Sequence, residues 1–244
     1  MSKLILFGDT ALELYAHLAA RPSDSIAFRG KPPAETAPTT AGITYLAQLF
    51  PWLTQPAHVL VFDPDDRRQK LARCHVAPQS VVESPLYRVA NGIFVPSPEL
   101  ALIQASRGKR LEEVASLGTS LCSAFCLAED SSTLLARTPL TLPTDIAKVS
   151  DGHRDVPGCA HARSAFHWML AKAASPRECA LGLVLHLPPR FGGYGLPRPL
   201  LNEPIELTEA DKRLADRSHY VADLLWQKQQ VIVEYDSDAF HLTS

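Results

Sequence analysis

The chain reads as an α/β (α+β) protein, with strands and helices mixed in each half. Three observations carry that expectation. Short apolar runs, KLILF (3–7), AHVLVF (57–62) and VIV (231–233), have the length and composition of strands. Stretches rich in Ala and Leu separate them, and several open on helix-start signals. Of the 244 residues, 46% are hydrophobic and 20% charged, which is ample material for a core and too apolar for a disordered chain.

Taken in order, KLILF reads as a buried strand, and 9–20 (DTALELYAHLAA) as a helix with Asp9 or Thr10 as its N-cap. Pro32, Pro33 and Pro38, with Gly30 and Gly42, make 29–42 a loop. A helix over 42–50 and a strand at 57–62 follow, then a polar turn, DPDDRR (63–68). Residues 73–77 and 93–95 read as further strands. Ser97-Pro98-Glu99 opens a helix to 106: Ser97 caps, Pro98 suits the first helical position and Glu99 complements the helix dipole. A second helix is predicted over 109–127. Residues 131–157, polar and broken by Pro and Gly, read as a linker with a short helix at 144–149. That divides the chain into a small mixed domain (1–150) and a C-terminal domain (158–244).

In the second part, 158–173 reads as a helix. Ser175-Pro176-Arg177-Glu178 repeats the cap–proline–acid start for a helix to about Leu187, which Pro188-Pro189 ends. FGGYGLPRP (191–199) is a turn-rich loop, 200–207 a strand weakened by Pro204, and 208–216 a weak helix. SHYVADLLW and QVIVEYD flank Gln227-Lys228-Gln229-Gln230 and read as a β-hairpin whose second strand holds a buried Val-Ile-Val run.

Charge narrows the function. The net charge of -2 excludes a protein that grips nucleic acid by overall positive charge. Residues 174–244 carry 7 basic and 10 acidic side chains, net -3, so the acidic surplus sits at the C-terminal end. No secretory leader and no membrane span is expected. The five cysteines (74, 122, 126, 159 and 179) read as reduced thiols in the cytoplasm. Cys122 and Cys126, four apart, can share a helix face, but no second pair at zinc spacing accompanies them. His161 and His167 are six apart and do not share a helix face. Phosphate-loop, dinucleotide-binding, zinc-protease and nucleophile-elbow motifs are all missing.

The chemistry gathers at the hairpin. Residues two apart on a strand point to one face, which places Glu234 with Asp236. If Trp226 pairs with Val231, Asp223 falls opposite Glu234, and three carboxylates converge. Like charges facing one another across a sheet repel, so such a patch calls for a cation. Oxygen ligands of this kind suit Mg²⁺ or Mn²⁺, which polarise phosphodiesters and activate water. The competing reading is a set of solvent-facing residues at strand ends. Farther upstream, Arg67, Arg68, Lys70 and Arg73 can contact phosphates, or simply decorate an exposed turn.

Glu178, the Tyr220-x-x-Asp223 strand and the Glu234-x-Asp236-x4-His241 segment (VEYDSDAFH) resemble the core of the PD-(D/E)XK endonuclease-like group, nearest to its very-short-patch-repair (Vsr-like) branch. The resemblance covers residues 174–244. It implies a mixed sheet flanked by helices. Asp223, Asp236 and His241 would serve metal binding and acid–base work, Glu178 would support the metal site, and Glu234 would stand beside them. Ser237 stands where the family pattern has Gly. The family continues with an Asp-x-x-Arg helix and a last strand, so the domain reads as incomplete. More weakly, HVLVFDPDDRRQ and NGIFVPSPELALIQAS resemble the AbiEi family of antitoxin-type transcriptional regulators, without its N-terminal winged helix.

Two functions follow as expectations. The first is a Mg²⁺-dependent endonuclease-like enzyme acting on nucleic acid, DNA in the first place, with the carboxylates as metal ligands and His241 as general acid–base. The second is a non-catalytic regulator of antitoxin type with a protein partner, in which the nuclease-like part is a degenerate scaffold.

Overall fold

The computed structural model describes residues 3–20, 36–68, 70–209, 212–213 and 219–235, without the side chain of Arg68. The fold is mixed α/β. Its centre is β1 (Leu4–Leu6), buried at every position, which enters α1 (Gly8–His17) through one tight turn. Gly8 makes that turn at φ +48°, a left-handed conformation that side chains resist. The helix therefore starts one residue before the expected caps. Its N-cap is Phe7, with no side-chain cap. Thr10 is used differently: its Oγ1 accepts the backbone N–H of His58 at 2.9 Å.

Next come α2 (Thr40–Leu49), capped by Thr39, and β2 (His58–Val61). The polar turn at 63–68 contains a 3-10 segment, Pro64–Arg68, and leads to β3 (Arg73–Val76). Two unanticipated elements follow, α3 (Gln79–Val82) and β4 (Tyr87–Ala90), before β5 (Ile93–Val95). The five strands form one sheet in the order β3-β2-β1-β5-β4. β1 runs parallel to β5 and antiparallel to β2, and β2 runs parallel to β3. Alternate residues bury against opposite faces: Leu4, Leu6, Ile93 and Val95 in one apolar cluster, Ile5, Leu60 and Phe94 in another. Strands covered on both faces read as unbroken apolar runs, which is why these were legible.

α4 (Pro98–Ala105) starts as expected, with Ser97 Oγ accepting the N–H of Leu100. The helix expected over 109–127 is corrected. α5 (Leu111–Leu121) stops after eleven residues, and β6 (Phe125–Leu127) pairs antiparallel with β7 (Leu134–Ala136). Cys122 and Cys126 thus lie past the helix end and on a strand, both buried, and do not form a pair on one helix face.

The short helix expected at 144–149 is present as α6 (Pro143–Gly152). The segment around it, 131–157, is packed rather than a free linker, with Leu140 and Ile146 buried in the main cluster. Ser80 donates to Asp155, and Ser84 Oγ lies 2.7 Å from His153 Nε2, so the segment is stitched to α3. Its polarity misled because three apolar side chains, Leu140, Ile146 and Val156, suffice to anchor it in the core, while Leu134, Leu135 and Leu142 stay exposed. The helix expected over 158–173 shortens to α7 (Cys159–Ala165), followed by a 3-10 turn, Phe166–Trp168.

α8 (Pro176–His186) matches its signals. The FGGYG loop folds back along its C-terminal end: the N–H groups of Tyr194, Leu196 and Gly195 donate to Val184, Leu185 and Leu187 carbonyls. A Cβ at Gly193 would lie 1.9 Å from the Leu187 oxygen, so only glycine permits the approach. β8 (Leu200–Glu206), β9 (His219–Trp226) and β10 (Val231–Val233) form an antiparallel sheet in the order β10-β9-β8. β10 departs from expectation: Val231 and Ile232 are exposed, not buried, because β10 is an edge strand. The weak helix at 208–216 lies largely outside the described residues. Among the described residues, no helix is long and apolar enough to cross a membrane.

Candidate functional site

The hairpin register places the acidic residues. Val231 pairs with Trp226, Ile232 with Leu225 and Val233 with Leu224, the alignment that sets Asp223 opposite Glu234 one step on. β10 ends at Val233, and there the Tyr235 N–H donates to Asp223 Oδ2 at 2.7 Å. Asp223 is half-buried and Glu234 exposed. Asp236 and His241 lie outside the described residues.

Glu178 comes from the other side, at the first turn of α8. Its burial, 8% exposed, would be costly for a carboxylate without partners. Three donors meet it: Ala174 N–H at 2.8 Å, Ser175 Oγ at 2.9 Å and Asn202 Nδ2 at 2.6 Å. Ser175 Oγ in turn accepts the Glu178 N–H at 3.2 Å, which makes the motif a variant of the capping box. Glu178 therefore holds the entry of α8, and its negative charge complements the N-terminal end of the helix dipole.

Asn202 links the two sides. On β8 it sits between Leu201, paired with Leu224, and Glu203, paired with Ala222, which puts it level with Asp223. Its amide also donates to the Lys172 carbonyl at 3.0 Å. Lys172 and Asn202 both adopt left-handed conformations, φ +68° and +48°. Strain of this kind, at residues other than glycine, persists only where neighbours enforce it, and it collects at functional positions. Lys172 Nζ pairs with Glu203 at 2.9 Å. Arg177 donates to the Tyr235 hydroxyl and lies 5.7 Å from the ring centroid, tying α8 to the chain leaving β10. Asn202, Lys172, Arg177 and Tyr235 were not anticipated. The only available signal was the place of Tyr235 between Glu234 and Asp236.

Glu178 on α8 thus meets Asn202, which is level with Asp223 on β9, and Glu234 follows the end of β10. Among the described residues, no group of three or more His, Cys, Asp or Glu side chains is placed to hold a metal ion. The cysteines offer no alternative site. All five are free, and burial pushes the thiol of Cys179 up to about 11 and that of Cys122 higher still, so both stay protonated.

The basic residues separate. Arg73 begins β3 and is exposed, as is Lys70. Arg67, in the 3-10 segment, reaches a cavity at the turn from β1 into α1, with His58 and His75 in its wall. Comparison with protein-family models, with curated proteins and with solved structures finds no match.

Proposed function

We propose that the chain is an endonuclease-like protein that acts on nucleic-acid phosphodiester bonds through the acidic end of its C-terminal sheet. The observation that supports this reading is the hairpin register, whose continuation by one step sets Asp223 across from Glu234, with Arg177 of the helix that carries Glu178 donating to Tyr235. Asp223 and Glu234 are the described residues that would hold a Mg²⁺ or Mn²⁺ ion, and their hard carboxylate oxygens suit either metal. The bound ion would polarise the phosphodiester and lower the pKa of a water. Glu178 orients the site through Asn202 rather than by contact with the reacting atoms. Asp236 is assigned as a further ligand and His241 as the proton-transfer group. The reading implies DNA as the partner and, with five free thiols, a cytoplasmic protein.

A second reading rests on the same geometry. The Glu178 carboxylate is occupied by three donors and Asp223 by a backbone N–H. Groups so engaged suit a scaffold, and this favours a non-catalytic, antitoxin-type regulator that works through a protein partner.

Calorimetric titration with Mg²⁺ and Mn²⁺ separates the two, with Asp223→Asn and Asp236→Asn variants alongside. The enzyme reading expects metal binding that either substitution abolishes, together with metal-dependent cleavage of DNA. A folded protein that binds neither metal at millimolar concentration rules it out and leaves the regulator.

A further inference from the structure

A second region, remote in sequence from the acidic face, has the makings of a ligand site. The turn from β1 into α1 opens on a cavity of about 280 Å³. The first backbone N–H groups of a helix have no intrahelical partners, and Phe7 contributes no side-chain cap. The N-terminal end of the ten-residue α1 therefore brings partial positive charge to this cavity.

The independent observation is Gln104. It lines the cavity from α4 and is 3% exposed. Its Oε1 accepts the Gly8 N–H at 3.2 Å, which fixes the orientation of the amide. Its Nε2 is buried with no hydrogen-bond partner. A buried donor left unsatisfied is destabilising, and an acceptor in the cavity would remove that cost.

The charges agree. Arg67 and Arg107 line the cavity and are exposed, and among the described residues neither forms an ion pair. The one carboxylate there, Asp9, is engaged by Lys109 at 2.9 Å. His58 and His75 complete the wall, with ring nitrogens 3.1 Å apart, and His75 is stacked on Phe7 at 4.0 Å. Burial, His58 and the two guanidinium groups together hold His75 neutral. The two guanidinium groups outweigh the one carboxylate, so the surroundings are positive on balance.

We propose that this cavity binds a phosphate monoester, with Gln104 Nε2 donating to one oxygen, Arg67 and Arg107 to the others, and the α1 terminus behind them. Two guanidinium groups and a helix terminus exceed the charge of a single carboxylate and match a phosphate dianion. The inference does not depend on the acidic face.

The test is a titration of the full chain with inorganic phosphate, followed by histidine-ring NMR at constant ionic strength. Saturable shifts are expected at His58 and His75 and not at the exposed His161. The Arg67→Gln/Arg107→Gln double variant, altered only at exposed positions, should bind at least about tenfold more weakly, since it loses two charge-assisted bonds. Gln104→Leu should weaken binding as well, and Asp223→Asn should leave it unchanged. Adenosine monophosphate and a 5′-phosphorylated oligonucleotide identify the source of the phosphate: tighter binding than inorganic phosphate assigns the site to a nucleotide or a nucleic-acid end, and equal binding assigns it to the phosphate group alone. No saturable shift at tens of millimolar phosphate, or equal binding by the double variant, overturns the proposal.

Discussion

His75 stacks on Phe7 and shares a hydrogen bond with His58 in a half-buried wall. Burial, His58, Arg67 and Arg107 lower its pKa from the usual 6.5 to about 4. His58 is shifted the same way, chiefly by burial. An unfolded chain takes up protons at both positions near pH 6.5, whereas in the folded chain His58 takes up its proton only at lower pH and His75 resists until about pH 4. Stability therefore falls as pH drops through that window and is regained as pH rises. We expect the thermal midpoint to decline between pH 6.5 and 4, and His75→Phe, which keeps an aromatic ring beside Phe7, to flatten the decline. A midpoint in the variant that tracks the parent across the window would contradict this. None of it was legible in the sequence. His58 and His75 are seventeen positions apart, and only the parallel pairing of β2 with β3 brings them together.

At the scale of elements, helix ends carried the clearest local signals. Ser97-Pro98-Glu99 and Ser175-Pro176-Arg177-Glu178 each start a helix where expected, because a cap acts within four residues of itself. Helix ends that rely on distant partners were silent. Arg137 is the main example. It is buried, and its guanidinium donates to the Tyr15 carbonyl at 2.6 Å, to Leu18 at 3.1 Å and to Ser120 at 2.9 Å. One cation thus closes the C-terminal ends of α1 and α5, where the helix dipoles are negative. Arg137→Met should cost about 3 kcal/mol, because the carbonyls lose their donor in a buried place. Urea unfolding would measure this as a lower midpoint with an unchanged slope. A loss below about 0.5 kcal/mol would show that water or neighbouring groups replace the guanidinium.

For the molecule as a whole, one apolar cluster runs from Leu4 through Leu102, Ile146 and Leu170 to Leu201. It crosses the boundary that the polar segment at 131–157 suggested. Helices on both sides of that segment pack on the same core, which ties the last part of the chain to the first. Leu183, on α8, is 5% exposed within this cluster. Leu183→Ala should cost about 3 kcal/mol through lost burial and the cavity left behind. Tryptophan fluorescence, from Trp52, Trp168 and Trp226, should report the same shifted midpoint as far-UV circular dichroism. Divergent transitions would mean that the C-terminal sheet unfolds on its own.

Taken alone, the sequence determined the α/β class, the central strands, the capped starts of α4 and α8, and the hairpin register that aligns Asp223 with Glu234. Each of these depends on residues close together in the chain, through burial period, cap chemistry or the length of one turn. Tertiary structure decided the rest: the exposure of β10, the division of the expected 109–127 helix, the inclusion of 131–157 in the core, the engagement of Glu178 by Asn202, and the cavity between Gln104 and the two histidines. Those outcomes depend on which distant groups meet. A buried polar atom is satisfied or orphaned by its neighbours in space, and local sequence pattern carries no record of them.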